Sequence, residues 1–335
     1  MRSLSTVQAR SAYGTGVRII LSIIAVLLAV PRYSGDERLP LIRATPEIRA
    51  TPYVPAGGWP ARVGALRPIG GVTLTSPTPA FGGFSGIALR NGRITLLSDG
   101  GNIVRFAIAG GRVIDPTGHV LRAGPGTGWT RSDRDSESIA LDPATGTAWI
   151  GFENNNEIWR YTVDFGRATA RARPAAMRDW ATNQGVESLA RLVDGRFVAL
   201  AERKPNRRTR HAVLFSGDPT RADTRIARFL FVPPERYDPS DAATLPNGDL
   251  LILTRRFRFP FEFSAKLVRV PRESIRAGAQ VAGLVIATLR APLVAENCEG
   301  LAITRERGRT MVWIVTDNDA MPWRPTYLLK FALGG

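Results

Sequence analysis

The sequence predicts an all-β chain folded as a single β-propeller of four-stranded blades, and three features lead there. A short motif recurs five times at a spacing near fifty residues. A turn and a β-rich run follow each copy. A strand-like segment is left over upstream of the first copy and can close a ring.

The copies are Ser85-Gly86-Ile87-Ala88-Leu89, Glu137-Ser138-Ile139-Ala140-Leu141, Glu187-Ser188-Leu189-Ala190-Arg191, Ser240-Asp241-Ala242-Ala243-Thr244 and Glu299-Gly300-Leu301-Ala302-Ile303, at intervals of 52, 50, 53 and 59 residues. A small or acidic residue opens each, and an alanine holds the fourth place. The turns that follow are Asn91-Gly92, Thr145-Gly146, Asp194-Gly195, Asn247-Gly248 and Gly308 between two arginines. Asn-Gly and Asp-Gly between apolar runs signal tight hairpins, because both residues tolerate positive φ. Second strands are expected at Arg93–Leu97, Ala148–Phe152, Arg196–Leu200, Leu250–Thr254 and Met311–Val315. Third strands are expected near Ile103–Ile108, Glu157–Val163, Ala212–Ser216, Ala265–Val270 and Thr326–Phe331. Fourth strands fit near Val113–Arg122, Ala168–Ala176, Thr224–Val232 and Leu284–Leu289. The fifth copy has no room for a fourth strand. Val63–Leu66 with Val72–Thr75 supplies it from the other end of the chain, leaving no long open sheet edge. Five blades result; a sixth would have to hide in the short proline-rich stretch between Arg38 and Pro79.

At the start of the chain, Arg2, Arg10 and Arg18 precede an apolar run from Ile19 to Val30, broken by Ser22 and ended by Pro31. Residues 1–33 therefore read as an export signal. No small-x-small cleavage site follows Val30, so an uncleaved membrane anchor is the alternative. Both place the protein in the periplasm or beyond, the second with it held at the inner membrane. Residues 34–60 read as a proline-rich linker and 61–335 as the propeller.

Composition narrows the chemistry. The 335 residues contain one cysteine, Cys298, and two histidines, which rules out an internal disulfide and argues against structural zinc. The net charge of +16 comes almost wholly from arginine. The arginines are scattered and no stacking-aromatic motif accompanies them, so a nucleic-acid partner is not expected, and a monomer is.

In a propeller blade the first strand starts, and the second ends, on the same face of the central channel. First-strand starts are Ser85, Glu137, Glu187, Ser240 with Asp241, and Glu299; second-strand ends are Asp99, Glu153, Glu202, Arg255 and Asp317. A basic protein thus gathers acids around one channel mouth. Clustered carboxylates raise one another's pKa unless a cation or proton intervenes. Oxygen donors without His or Cys suit a hard divalent cation, Ca²⁺ before others. The reading is an exported, metal-assisted hydrolase of a small anionic ester or phosphoester. Glu137, Glu187 and Glu299 are the catalytic candidates, and Asp99, Glu153, Glu202 and Asp317 the metal ligands. Arg203, Lys204, Arg255 and His211 would hold the substrate anion. A structural role for these acids, capping backbone N–H groups of neighbouring blades, is the competing account. A non-catalytic propeller that binds an envelope ligand or protein, and a lactonase, remain as alternative functions. Gly83-Phe84-Ser85-Gly86-Ile87 lacks the last glycine of a nucleophile elbow, and with His119 expected in an outer strand a Ser-His-Asp triad has little support.

Several motifs carry a family resemblance. Phe84-Ser85-Gly86-Ile87-Ala88 with Leu97-Ser98-Asp99, Asp135-Ser136-Glu137-Ser138-Ile139-Ala140 with Gly151-Phe152-Glu153-Asn154, Asn183-Gln184-Gly185-Val186-Glu187-Ser188-Leu189, and Asn297-Cys298-Glu299-Gly300-Leu301 with Thr316-Asp317-Asn318 resemble the bacterial "esterase-like activity of phytase" family. The resemblance spans about residues 66 to 333. It implies an exported β-propeller, loosely related to calcium-dependent phytases and gluconolactonase-like propellers, that hydrolyses an ester or phosphoester. The chain departs from the pattern at the fourth copy, with Ser240-Asp241 and Arg255 where other copies have Glu and an acid.

Overall fold

The computed structural model describes Ser22 and residues 40–334, except 182, 183, 206, 207, 261 and 322, and omits the side chains of 131 and 203–205. The chain divides into two compact units, Met1–Gly35 and Asp36–Gly335. Apart from Ser22, the signal or anchor segment lies outside the described residues. Among those described, no helix is long and apolar enough to cross a membrane.

The second unit is a ring of five sheets. Two strands, β1 (Arg49–Pro52) and β2 (Leu66–Thr75), precede the first repeat. Blade one is β3 (Phe84–Arg90), β4 (Arg93–Ser98), β5 (Asn102–Ala109) and β6 (Arg112–Val120). Blade two is β7 (Ser136–Leu141), β8 (Ala148–Phe152), β9 (Glu157–Tyr161) and β10 (Ala168–Ala172). Blade three holds β11 (Val186–Arg191), β12 (Phe197–Pro205), β13 (Arg210–Phe215) and β14 (Ile226–Val232). Blade four holds β15 (Asp238–Thr244), β16 (Leu250–Arg258) and β17 (Glu262–Val270). The chain then lends β18 (Gln280–Ala282) to blade three, parallel to β14, before returning as β19 (Leu284–Arg290). Blade five is β20 (Asn297–Glu306), β21 (Arg309–Asp317) and β22 (Thr326–Leu333), completed by β2 and then β1.

The ring therefore closes as the sequence requires, with one difference. Of the two upstream segments, Val63–Ala65 forms only a bridge and turn, and one strand, β2, starting at Leu66, runs antiparallel to β22 from Leu66↔Leu333 to Leu74↔Thr326. Part of the stretch read as a linker is also built into the propeller: β1 pairs with β2, and Ile42 and Ile48 are buried. The stretch between Arg38 and Pro79 thus completes blade five, and among the described residues there is no sixth sheet.

Strand alternation explains the core. Five apolar clusters lie one between each pair of neighbouring blades. In β12, Phe197, Ala199 and Ala201 face blade two while Val198 and Leu200 face blade four. In β16, Leu250 and Ile252 face blade three while Leu251 and Leu253 face blade five. A strand buried on both faces reads as a continuous apolar run, as the second strands do. The fourth-place alanines Ala88, Ala140, Ala190, Ala243 and Ala302 all pack toward the following blade. Second-place residues sit closer still: a Cβ on Gly86 would lie 2.9 Å from Ile139 Cγ2, and one on Gly300 2.9 Å from Ile87 Cγ2. Glycine or serine is all that most blades accommodate there. Asp241 is the exception. It turns its carboxylate onto the Leu301 N–H (2.7 Å) and the Ala242 N–H (2.8 Å), fastening blade four to blade five.

Candidate functional site

Every inner strand begins with the same irregularity. The registers jump from Phe84 to Gly86, Ser136 to Ser138, Val186 to Ser188, Pro239 to Asp241 and Cys298 to Gly300. The residues passed over are Ser85, Glu137, Glu187, Ser240 and Glu299, the first residues of the five repeats. A β-bulge leaves its extra residue unpaired and re-aims its side chain. Three of the bulged residues are glutamates that line a cavity of about 210 Å³ at one mouth of the channel. The two serines also bond across blades: Ser85 Oγ donates to Ser136 O (2.5 Å) and Ser240 Oγ to Cys298 O (3.0 Å).

The second strands deliver the rest. Asp99, Glu153, Glu202, Arg255 and Asp317 line the same cavity. Their backbones are fixed alike: the N–H groups of Asp99, Glu153 and Glu202 donate to the carbonyls of Gly83 (2.9 Å), Asp135 (2.9 Å) and Gly185 (3.3 Å). Gly83 adopts φ +60°, and a Cβ there would lie 2.7 Å from Asp99 Oδ1, so glycine permits this close approach. The opposite end of the channel, about 190 Å³, is lined largely by aliphatic side chains such as Ile87, Ile139, Leu189 and Leu301.

Burial sets the protonation of the ring. It pushes Glu137 well above the usual carboxylate range, and Asp135, Glu187, Glu153 and Asp99 push it further. Glu153 is raised to about 8 by burial and by Asp135 and Glu202, against the pull of the Gly185 N–H at 3.2 Å. Asp317 is raised by burial, then by Asp99 and Glu299. Burial also raises Glu187 and Glu299, and Arg255 opposes both shifts. Burial works against the charged guanidinium of Arg255, yet Glu299, Glu187, Glu202 and Glu137 hold it ionised.

Arg255 is the one cationic side chain lining the cavity among the described residues. Its Nη2 lies 3.3 Å from both Glu187 Oε1 and Glu202 Oε1, and its Nη1 lies 3.2 Å from Glu299 Oε1. On the other side, Asp135, Glu137 and Glu153 offer carboxylate oxygens all within 4.8 Å of one another. These hard oxygen donors fit a divalent cation.

A family model described as "Phytase-like: Esterase-like activity of phytase" matches residues 79–320, from just before the first inner strand to just after β21. The chain belongs to the phytase-like family. No curated protein sequence matches it. Among solved structures it is similar to a luciferin-regenerating enzyme (10% identity, 87% of this chain and 97% of that chain, TM-score 0.40). It is also similar to Kuenenia stuttgartiensis hydrazine synthase (12% identity, 74% and 71%, TM-score 0.38) and to the Cps50 (Swd1) β-propeller domain of Myceliophteria thermophila (9% identity, 78% and 98%, TM-score 0.38).

In this family member all seven acids expected at the mouth meet in one cavity, together with Arg255. His211 does not join them. It lies on β13, half-buried, with Asp179 and Arg228 as its charged neighbours. The side chains of Arg203 and Lys204 lie outside the described residues. Asp241, grouped with Ser240 in the sequence, faces the blade interface. Two further residues belong to the site. Asp135 and Asn297 each sit two residues before a bulged glutamate, Asp135 just ahead of β7 and Asn297 at the start of β20. Asn154 donates its amide to the Asp135 carboxylate, and Asn297 Nδ2 donates to Glu299 Oε1 (2.6 Å).

Proposed function

We propose that the protein is an exported hydrolase of a carboxylic ester or phosphoester, with the acidic channel mouth as its reaction centre and a divalent cation, Ca²⁺ favoured, assisting. Membership of the phytase-like family supports hydrolase-type chemistry. The observation that carries the reading is the convergence of five bulged or strand-end glutamates, Glu137, Glu153, Glu187, Glu202 and Glu299, on one cavity beside a fixed guanidinium.

The ring supplies acid and base together. Glu153, with its pKa near 8, keeps a proton at neutral pH and can protonate a leaving alkoxide. Burial raises Glu187 and Glu299, and the Arg255 guanidinium against them opposes that rise, so these two are the candidates to take a proton from an attacking water. Asp135 and Glu137 would hold the cation, which when bound withdraws electron density from a carbonyl or phosphoryl oxygen. Export rests on the basic and apolar order of residues 1–33.

The test is a panel of phosphoesters, carboxylic esters and lactones, run with and without chelator. Cation-dependent turnover that Glu153→Gln lowers by about 100-fold or more supports the reading, the usual scale for losing a general acid. Turnover confined to neutral lactones would select the lactonase alternative. No turnover with any substrate, together with retained fold and retained cation binding, would leave a binding propeller.

A further inference from the structure

Blade one carries a basic patch on the face it turns to blade two, at the end of the ring away from the acidic mouth. Period-two alternation puts it there. In β3, Ala88 packs between the two blades and Arg90 follows on the same face. In β4, Leu97 packs there, and Thr95 and Arg93 continue its row. In β5 the row runs from Ile103 to Arg105. The registers set Arg90 opposite Arg93 and Thr95 opposite Arg105. The interface is thus apolar near the mouth and cationic where β3 and β4 join at Asn91-Gly92. The places equivalent to Arg90 in the other blades hold Asp142, Leu192, Leu245 and Thr304.

The three arginines share a cavity of about 150 Å³ with Asn91, Thr95 and Phe165, and among the described residues no carboxylate lines it. Neutral groups alone hold the guanidiniums. Arg90 lies across the turn between β7 and β8, donating Nε to Pro143 O (3.1 Å) and Nη2 to Ala144 O (3.2 Å). Gly146 in that turn makes room for it, since a Cβ there would stand 3.2 Å from Arg90 Cζ. Arg93 Nη2 donates to Asp115 O (2.7 Å) and Thr117 Oγ1 (3.3 Å). Arg105 lies over the Phe165 ring at 5.8 Å, and its Nε is buried with no hydrogen-bond partner. Phe165 itself holds φ +60°, a left-handed backbone that a bulky side chain rarely adopts and that gathers at binding sites. The acid that acts on Arg105 is Asp164, whose Oδ1 already accepts from Thr162 Oγ1 (2.5 Å) and the Gly166 N–H (3.2 Å). Like charges directly opposite across a strand pair are destabilising, and a guanidinium does not shed its proton to relieve them. Burial disfavours the charge of Arg105, and Arg93 and Arg90 add to that against the pull of Asp164.

We propose that this cleft is a second binding site, which takes a phosphate group between Arg90, Arg93 and Arg105. Guanidinium forks match phosphate oxygens bidentately, and a bound dianion turns the repulsion among the three into attraction. The site opens on the face opposite the acidic mouth, so it stands whether or not hydrolysis occurs there. A free phosphate and the phosphate of a lipid headgroup satisfy the same donors.

The experiment has two arms. Both use the full-length wild type, Arg93→Gln with Arg105→Gln, and a control, Arg305→Gln with Arg309→Gln, which removes equal charge from the corresponding hairpin of blade five. In the first arm inorganic phosphate is titrated calorimetrically, and thermal unfolding is followed in phosphate and in chloride at matched ionic strength. Wild type and control should bind phosphate and be stabilised by it. The Arg93/Arg105 variant should bind about 10-fold more weakly or worse, the scale of losing charge-assisted hydrogen bonds. In the second arm co-sedimentation is compared on phosphatidylglycerol and phosphatidylcholine vesicles. The N-terminal segment is the same in all three proteins, so a preference for phosphatidylglycerol lost only in the Arg93/Arg105 variant assigns the headgroup. Phosphate binding without that loss assigns the free ion. Arg105→Lys keeps the charge and loses the fork; it should also bind phosphate more weakly, and it decides if the glutamine variant fails to fold. An equal response in wild type and the Arg93/Arg105 variant, an equal loss in both double variants, or no binding by the wild type in either arm would overturn the proposal.

Discussion

Arg255 Nη2 donates to Glu187 Oε1 at 3.3 Å across 68 residues of chain. The bond joins the second strand of blade four to the bulge of blade three, well inside the channel mouth. Removing the guanidinium would leave Glu187, Glu202 and Glu299 facing one another in a site that excludes most water. Breaking a buried ion pair from one side costs about 3–5 kcal/mol. Arg255→Met should therefore lower unfolding stability by that order in urea at pH 7 with chelator present. Part of the loss should return when Ca²⁺ is added, because a ligand that binds only the folded state stabilises it.

Stability without divalent cation should fall as pH rises. Glu153 carries a folded-state pKa near 8 against 4.5 in its ordinary state. Between those values the unfolded chain has released the proton and the folded chain still holds it, so raising pH favours unfolding. The slope for one such group approaches about 1.4 kcal/mol per pH unit and vanishes above the folded pKa. Chelator-treated protein should unfold at higher urea at pH 5 than at pH 8. Glu153→Gln should reduce that difference without abolishing it, since Glu137, Glu187, Glu299 and Asp317 are raised as well, and an unchanged slope would contradict the assigned protonation.

Asp241 and Glu299 separate the two duties an acid can have here. Asp241→Ala deletes the acceptor for the Leu301 and Ala242 N–H groups and leaves both buried. Each orphaned group costs about 1–3 kcal/mol, so a loss near 2–5 kcal/mol is expected by urea denaturation. Ca²⁺ affinity, measured on the folded protein, should stay unchanged.

Ring closure depends on β2. A chain beginning at residue 77 would leave β22 as an open edge and expose the face of blade one that Leu74 covers. Size-exclusion chromatography should show aggregation in place of a compact species. The milder Leu74→Ala, which removes a 2% exposed side chain, should fold and cost about 2–4 kcal/mol.

The ring of acids was legible because two regularities coincide. The repeat places Ser85, Glu137, Glu187, Ser240 and Glu299 at equivalent points. The hairpin after each copy returns the chain to the same face at Asp99, Glu153, Glu202, Arg255 and Asp317. What escaped the sequence depends on side-chain direction. Asp135 precedes β7, so its kinship with Glu137 shows only once the bulge and the strand start are known. His211 follows a basic loop and looks available to the mouth, but the β13 register sets it opposite Leu230, away from the cavity. Among the neighbouring arginines of β16, alternation decides. Arg255 turns into the channel, and Arg256 turns outward over the Tyr237 ring at 5.1 Å.

By itself, then, the sequence determined the fivefold repeat, the succession of inner strands around the ring, the N-terminal closure and the identity of the acids at the mouth. These follow from periodicity, and periodicity is a property of the chain alone. The tertiary structure decided which of those acids are already neutralised and which merely fasten blades. Such outcomes depend on distances of a few ångströms between residues far apart in the chain. At that range one guanidinium fork makes five similar positions unlike.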